Sequence, residues 1–312
     1  MLVIACPGQG SQTPGFMTPW LELDQYANTI DSLSAASGID LKLHGTESDA
    51  DTIRDTAIAQ PLIVAASIAS AGLLGGGWGA VAGHSVGEIA AASVAGILTP
   101  EAAIKLVRKR GDAMASAAAL ESTSMAAILG GEIESILEAL TANDLTPANF
   151  NGAGQIVAAG AKSGIDALVA APPAGSRVIP LQVAGAFHTK YMQPAVAALD
   201  EYSKDVATAD PSVTIWSNQA AQPVASGAEF LKLIVGQVAN PVRWDLCMEA
   251  MVAAGVTALI EVSPAGALAG LAKRAMPGVE ILALKTPVLL APKFVVTFPS
   301  LSKVASKLPS ML

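Results

Sequence analysis

The pentapeptide Gly83-His84-Ser85-Val86-Gly87 limits what this chain can fold into more than any other feature. It follows a short, uniformly apolar stretch, Gly79 to Gly83, and opens the alanine-rich segment Glu88 to Val94. A G-x-S-x-G placed between a strand and a helix is a strained turn. Its two glycines let strand and helix approach closely, and the serine hydroxyl is pushed out at the strand's C-terminal end. A strand that is apolar throughout has no wet face, so the turn calls for a parallel sheet covered by helices on both sides.

The flanking sequence supplies that frame. From Met1 to about Ala119 the order reads strand (Met1 to Cys6), loop, helices, strand, sharp turn, helix, helix. The uncharged stretch Thr56 to Gly87 is long enough to span a bilayer. Gly75-Gly76-Gly77 and Gly79 divide it instead into a buried helix, about Pro61 to Leu74, a turn and the strand before the pentapeptide. Between Ser124 and Gln182 the order changes. A strand (Ser124 to Leu129), a helix (Glu132 to Asn143), two short strands (Ala148 to Asn151, Gln155 to Ala159), a helix (Lys162 to Ala171) and a strand (Arg177 to Gln182) spell β-α-β-β-α-β, a ferredoxin-like unit. Helices near Tyr191 to Ala207, Gly227 to Ala239 and Val242 to Ala254 then alternate with strands near Thr214 to Ser217, Thr257 to Val262 and Glu280 to Leu284. The expected division is a large α/β domain from residues 1–122 and 189–287, an inserted subdomain from 123–188, and an atypical tail from 288–312 that carries no acid.

Composition narrows the function. With 52% hydrophobic and 14% charged residues over 312 positions, a disordered or coiled-coil chain is excluded. A net charge of −8 argues against a protein that covers nucleic acid or an anionic membrane. Cys6 and Cys247 cannot form a disulfide framework, and with three scattered histidines they offer no metal cluster. No phosphate-cradling G-x-x-x-x-G-K-[ST] occurs. The N-terminus reads as a strand rather than a charged leader, and a cytoplasmic protein is expected.

A nucleophilic Ser85 needs a base, and the chain holds His44, His84 and His188. His84 shares the turn with Ser85, its side chain aimed away from the hydroxyl. His44 lies in a polar segment and reads as an exposed loop residue. His188, in Gly185-Ala186-Phe187-His188-Thr189, follows the last strand of the inserted unit, where the two units should form a cleft. No carboxylate between Ser85 and His188 stands out to orient the base, since Asp112, Asp144 and Asp166 fall on solvated helix faces or ends. Either an acid follows later or a neutral acceptor such as a backbone carbonyl serves. The helix Pro100 to Ala119 carries an apolar arc of Ala103, Leu106, Val107, Met114 and Ala117, and Arg110 falls inside it. A buried guanidinium needs an anion, either a protein Asp or Glu or a substrate carboxylate.

Six ordered segments together resemble a known family: Pro7-Gly8-Gln9-Gly10-Ser11-Gln12, the Gly83–Gly87 turn, Arg110-Gly111, Asn149-Phe150-Asn151, Gly185-Ala186-Phe187-His188, and Gln237 through Trp244. The chain is similar, from Met1 to about Pro287, to the malonyl-CoA:acyl carrier protein transacylases of bacterial, notably actinobacterial, fatty acid synthesis. The resemblance implies an α/β-hydrolase-like core with a ferredoxin-like insert, and a ping-pong transfer of malonyl from CoA to the carrier's phosphopantetheine thiol. It implies Ser85 as nucleophile, His188 as base, and the Gln237 carbonyl holding His188. It further implies the Gln9 and Val86 N–H groups as oxyanion hole, Arg110 as the malonyl carboxylate's anchor, Asn149 and Asn151 lining the cleft, and Phe187 narrowing the pocket against an α-methyl group. No cofactor or metal is implied, and a monomer is expected. A basic patch at the cleft mouth, with Lys190, Lys273 and Arg274, would receive the acidic carrier. The segment before the turn is shorter than in most members, and the tail from Val288 lies outside the resemblance. A serine esterase or thioesterase would share the turn, base and oxyanion hole but has little use for Arg110. An inactive carrier-binding scaffold has no need of Ser85, His188, Gln9 and Arg110 together, and a stand-alone acyltransferase of a polyketide synthase would share the chemistry.

Overall fold

A computed structural model of the chain describes residues 1–183, 185–219 and 221–287. The expected tail falls outside them. In chain order, the first part holds β1 (Leu2–Cys6), α1 (Asp24–Ser37), α2 (Leu41–Thr46), α3 (Thr56–Gly72), β2 (Ala80–Gly83), α4 (Gly87–Val94) and α5 (Pro100–Ala118). The middle holds β3 (Thr123–Gly130), α6 (Ile133–Ala142), β4 (Thr146–Gly152), β5 (Gln155–Ala161), α7 (Lys162–Ala170) and β6 (Ser176–Pro180). The last part holds α8 (Gln193–Ser203), β7 (Thr214–Trp216), α9 (Gly227–Gln237), β8 (Val242–Arg243), α10 (Trp244–Ala253), β9 (Ala258–Glu261), α11 (Ala267–Ala275) and β10 (Glu280–Ala283).

Five strands pair in parallel in the order β10-β9-β1-β2-β7. β1 shows why such a sheet must be covered on both faces: Leu2, Ile4 and Cys6 join one core, while Val3 and Ala5 join another. The second sheet runs β6-β3-β5-β4-β8, and its β3–β6 part is the β-α-β-β-α-β unit in antiparallel pairing. Ala126 and Ile128 pack on α6 and α7 in a core of their own, while Met125 and Val157 turn the opposite face toward the large core. The fold is mixed α/β, with a parallel sheet and a second, largely antiparallel one, as the sequence predicts.

Four local readings are corrected. Val242 and Arg243 are not the start of a helix but a two-residue strand that pairs with Asn149 and Phe150 of β4. Val242 is β-branched and follows Pro241, the Arg243 guanidinium lies 4.6 Å from the Phe150 ring centre, and the helix begins only at Trp244. α3 begins at Thr56 rather than near Pro61, because the Asp55 side chain caps it by accepting the Ala57 N–H and Pro61 is accommodated inside the helix. The predicted helix from Tyr191 begins at Gln193, with Pro194 in its first turn, and stops at Ser203. His44 sits half-buried on α2, its Nδ1 2.9 Å from the Ser48 hydroxyl, and is not an exposed loop residue.

The expected bilayer-length stretch resolves into α3, a glycine turn and β2, and among the described residues no helix is long and apolar enough to cross a membrane. The close approach of β2, β1 and α4 depends on Gly83 and Gly87. A Cβ at Gly83 would overlap the backbone of Gly87 and Glu88, and one at Gly87 would overlap the carbonyls of Cys6 and Pro7. Rigid backbone on both sides leaves no room to adjust. We therefore expect Gly87→Ala to cost about 3 kcal/mol or more of stability, read as a lowered midpoint in thermal or denaturant unfolding. A midpoint equal to wild type would show that the close packing is dispensable.

Candidate active site

The turn between β2 and α4 holds Ser85 at φ +52°, a left-handed conformation unusual for a residue with a side chain. The Gly87 and Glu88 N–H groups bond to the carbonyls of His84 and Ser85, so the turn tightens directly into the helix. Ser85 Oγ lies 2.9 Å from Nε2 of His188. His188 has φ +63°, and its own N–H donates to the Val238 carbonyl just past α9. Its Nδ1 lies 2.9 Å from the Gln237 carbonyl. A carbonyl only accepts, so Nδ1 carries the proton and the Nε2 lone pair faces the Ser85 hydroxyl. The acceptor facing His188 Nδ1 is a backbone carbonyl at the end of α9 and not a carboxylate.

Arg110 is 2% exposed. Among the described residues no carboxylate pairs with it, so the alternative of an internal ion pair is not realised. Its partners are neutral: Nη1 donates to Gln60 Oε1 at 2.7 Å, while Nη2 reaches Ser85 Oγ at 3.2 Å and Gln237 Oε1 at 3.5 Å. Burial lowers its pKa to about 10, partly offset by the charge of Glu88, and the guanidinium stays positive at neutral pH. Burial, and then the Arg110 charge, push His188 down to about 3 despite its bond to Gln237. Glu88, 1% exposed in the first turn of α4, is pushed up to about 8 by burial, against the bond from the Asn218 N–H and the charge of Arg110.

A cavity of about 820 Å³ opens over these groups, within the size range of a small-molecule site. Gln9, Ser85, Arg110, Asn149, Phe187 and His188 are among the residues lining it. Asn151 also lines it and holds His84 through a 2.9 Å bond to Nε2, which agrees with His84 as a hydrogen-bonding neighbour. The buried Oδ1 of Asn149 has no partner. Val86 stands at the N-terminal end of α4, and the Gln9 side chain donates to the Arg54 carbonyl and the Thr56 hydroxyl. Of the three expected basic residues, Arg274 lines the cavity; Lys190 faces Asp144 across an exposed 3.5 Å contact. Among the described residues no group of three or more His, Cys, Asp or Glu side chains is placed to hold a metal.

Three further residues of the site had weak or no signals in the sequence. Gln60 is the lone carboxamide of the largely apolar α3, hidden by reading Pro61 as a helix start. Glu88 is the lone acid of the alanine-rich α4. Asn218, whose side chain bonds the Ser85 N–H, reaches the site from 133 positions away and carries no local pattern.

A serine on a strained turn, a neutral imidazole at 2.9 Å and a buried cation beside both define an α/β enzyme for nucleophilic acyl chemistry. The acyl transferase domain family matches residues 3–285, and the chain belongs to that family. It is 46% identical over 293 residues to a malonyl CoA-acyl carrier protein transacylase of Mycobacterium tuberculosis, covering 92% of this chain and 97% of that one. It resembles the crystal structure of MCAT from Mycobacterium tuberculosis with a TM-score of 0.91 and 44% identity, over 98% and 99% of the two chains. A malonyl-transacylase solved in complex with a type II polyketide synthase acyl-carrier protein matches with a TM-score of 0.87 and 29% identity, over 98% and 99%.

The low His188 value fixes a pH dependence. An imidazole of ordinary affinity would protonate, and lose its basicity, as pH falls through about 6.5. One depressed to about 3 stays neutral well below that. The acylation rate of Ser85 is therefore expected to remain level from about pH 8 down to pH 5, measured by rapid-quench labelling in the range where the fold is intact. A fall centred near pH 6.5 would contradict the buried, neutral base.

Proposed function

We propose that the protein transfers a malonyl group from CoA to the phosphopantetheine thiol of an acyl carrier protein by way of a malonyl ester on Ser85. The single observation that carries this reading is Arg110: a buried cation, bonded among the described residues only to neutral acceptors, beside a serine nucleophile. Such a cation lacks its anion until a substrate brings one, and its planar fork matches a carboxylate. A general esterase gains nothing from it.

Malonyl-CoA places its carboxylate on Arg110 and its thioester carbonyl over Ser85. Ser85 Oγ attacks the carbonyl carbon as its proton passes to His188 Nε2. The oxyanion is held by the N–H groups of Gln9 and Val86, the latter at the positive end of α4. The C–S bond breaks, and CoA leaves with the proton from His188. The carrier thiol then enters the vacated channel and gives its proton to His188. Its sulfur attacks the ester, and Ser85 leaves with the proton restored. Arg274 at the cavity is the cation that would meet an acidic carrier there, with Lys190 and Lys273 as the further basic residues of the proposed mouth. Asn149 and Asn151 line the path of the acyl-CoA, and Phe187, 6% exposed beside the base, bounds the acyl pocket.

Intact-protein mass spectrometry after brief mixing with malonyl-CoA is expected to show a malonyl adduct on wild type, none on Ser85→Ala, and formation slowed about 30-fold or more in Arg110→Ala. Holo carrier protein should discharge the adduct. Loss of the adduct to water as fast as to the carrier would make the protein a hydrolase.

Phe187 is the proposed barrier to an α-methyl substituent. One methyl group in such a pocket is worth about 1 to 3 kcal/mol. Wild type is therefore expected to prefer malonyl-CoA over methylmalonyl-CoA by roughly 10- to 200-fold in kcat/KM. Phe187→Ala should narrow that gap; equal kcat/KM for both thioesters in wild type would refute the assignment.

A further inference from the structure

The conformation that exposes Ser85 leaves its backbone without regular partners. At φ +52° its N–H belongs neither to the β2 ladder nor to the first turn of α4. Asn218, fully buried, fills that gap. Its side-chain Oδ1 accepts the Ser85 N–H at 2.7 Å, and its Nδ2 donates to the Gly83 carbonyl at 2.7 Å. A carboxamide pairs an N–H donor with a carbonyl acceptor as a peptide unit does, and its second N–H points toward the Cys247 sulfur at 3.8 Å. β7 pairs with β2 only as far as Trp216 opposite Ala82. Two residues later the Asn218 side chain continues that pairing around the corner, bracketing the turn from Gly83 to Ser85.

Asn218 is itself fixed at both backbone groups. Its N–H donates to Glu88 Oε1 at 2.8 Å, and its carbonyl accepts the Arg243 N–H at 2.9 Å. Glu88 stands in the first turn of α4, so nucleophile, helix start, carboxyl and carboxamide close into one buried ring. Burial raises the Glu88 pKa to about 8, against the bond from the Asn218 N–H and the charge of Arg110, and Oε1 is the oxygen that accepts that N–H.

We propose that Asn218, locked by Glu88, is a positioning residue for the acyl transfer: through the Ser85 backbone it sets the direction of the Ser85 hydroxyl toward His188 and of the adjoining Val86 N–H. The proposal rests on Ser85 being the nucleophile. An angular error at the turn moves hydroxyl and oxyanion donor together, and displacements of about 1 Å at a reacting centre cost about a hundredfold in rate.

The test uses the full chain and two reagents. A fluorophosphonate reports the nucleophilicity of Ser85 whatever the natural substrate: Ser85 Oγ attacks phosphorus, fluoride leaves, and the hydroxyl proton passes to His188. Malonyl-CoA reports the proposed reaction. Labelling rates are measured by mass spectrometry for wild type, Asn218→Ala, Asn218→Ser and Asn218→Asp, each below its own melting temperature and normalised to the folded fraction from near-ultraviolet circular dichroism. Asn218→Ala and Asn218→Ser are expected to slow labelling by both reagents about a hundredfold. Asn218→Asp, which keeps an oxygen opposite the Ser85 N–H, should slow it about tenfold. KM for malonyl-CoA should change less than threefold, because Arg110 is untouched.

A residue with only a scaffolding role would lower the melting temperature and leave the rate per folded molecule unchanged. Labelling within threefold of wild type in folded Asn218→Ala or Asn218→Ser overturns the proposal. If only Asn218→Asp folds, a rate within threefold of wild type in that variant overturns it equally. Wild type that reacts with the fluorophosphonate but not with malonyl-CoA refutes the proposed substrate, while the fluorophosphonate rates still decide the role of Asn218.

Discussion

The site is arranged around a positive charge that the protein itself leaves unneutralised. Arg110 is nearly inaccessible, and no acid approaches it to form an ion pair among the described residues. A desolvated guanidinium is costly to a fold, and the usual remedy is a carboxylate at bonding distance. Here the remedy is only partial: Gln60, Gln237 and Ser85 present neutral oxygens. Two of these are carboxamides: Gln60 Nε2 turns to the Met114 sulfur at 3.4 Å, while Gln237 Nε2 is buried with no partner among the described residues. The charge is held in place but not cancelled. This is the ground for proposing Arg110 as the anchor of a negatively charged acyl group.

The same charge governs the rest of the electrostatics. A carboxylate behind His188, the usual device for raising a base, would also attract Arg110 and compete with the substrate. The Gln237 carbonyl fixes the tautomer and ring orientation without adding a negative charge. The consequence is a base weakened by burial and by its cationic neighbour. Acidity on the serine side offsets this in part, because an Arg110 N–H within 3.2 Å of Oγ stabilises the developing alkoxide. Selectivity for an acid-bearing substrate and the use of a neutral acceptor behind the base are two results of one constraint.

How much of this could be read from the sequence follows from how local each cause is. The Gly83–Gly87 turn, the two sheets and the β-α-β-β-α-β order were legible because periodicity, glycine spacing and element order are local properties, and α5's buried Arg110 showed as a break in an apolar arc. His188 could be singled out from three histidines by its place at the return from the insert. The Gln237 carbonyl could not, since a main-chain acceptor leaves no mark in residue type; only the family resemblance pointed to it. Gln60 was lost to the assumption that Pro61 starts a helix, and β8 to the helical pattern that follows it. Asn218 and the pairing of Val242 with Asn149 are contacts across long separations, set by how the sheets are stacked rather than by neighbouring residues.

The weak base also bears on why an acyl-enzyme of this kind passes its group to a thiol rather than to water. General-base help matters most where the nucleophile is least acidic. A thiol ionises near pH 8.5 and water near 15.7, a gap of about seven units. Burial depresses His188 and so limits the assistance it gives to a water molecule beside the ester. A thiol needs far less, and sulfur is the better nucleophile once its proton is shared. In this site burial sets both properties: it depresses His188 and leaves Arg110 in need of an anion. In the proposed reaction a base weakened by burial therefore favours the more acidic thiol over water.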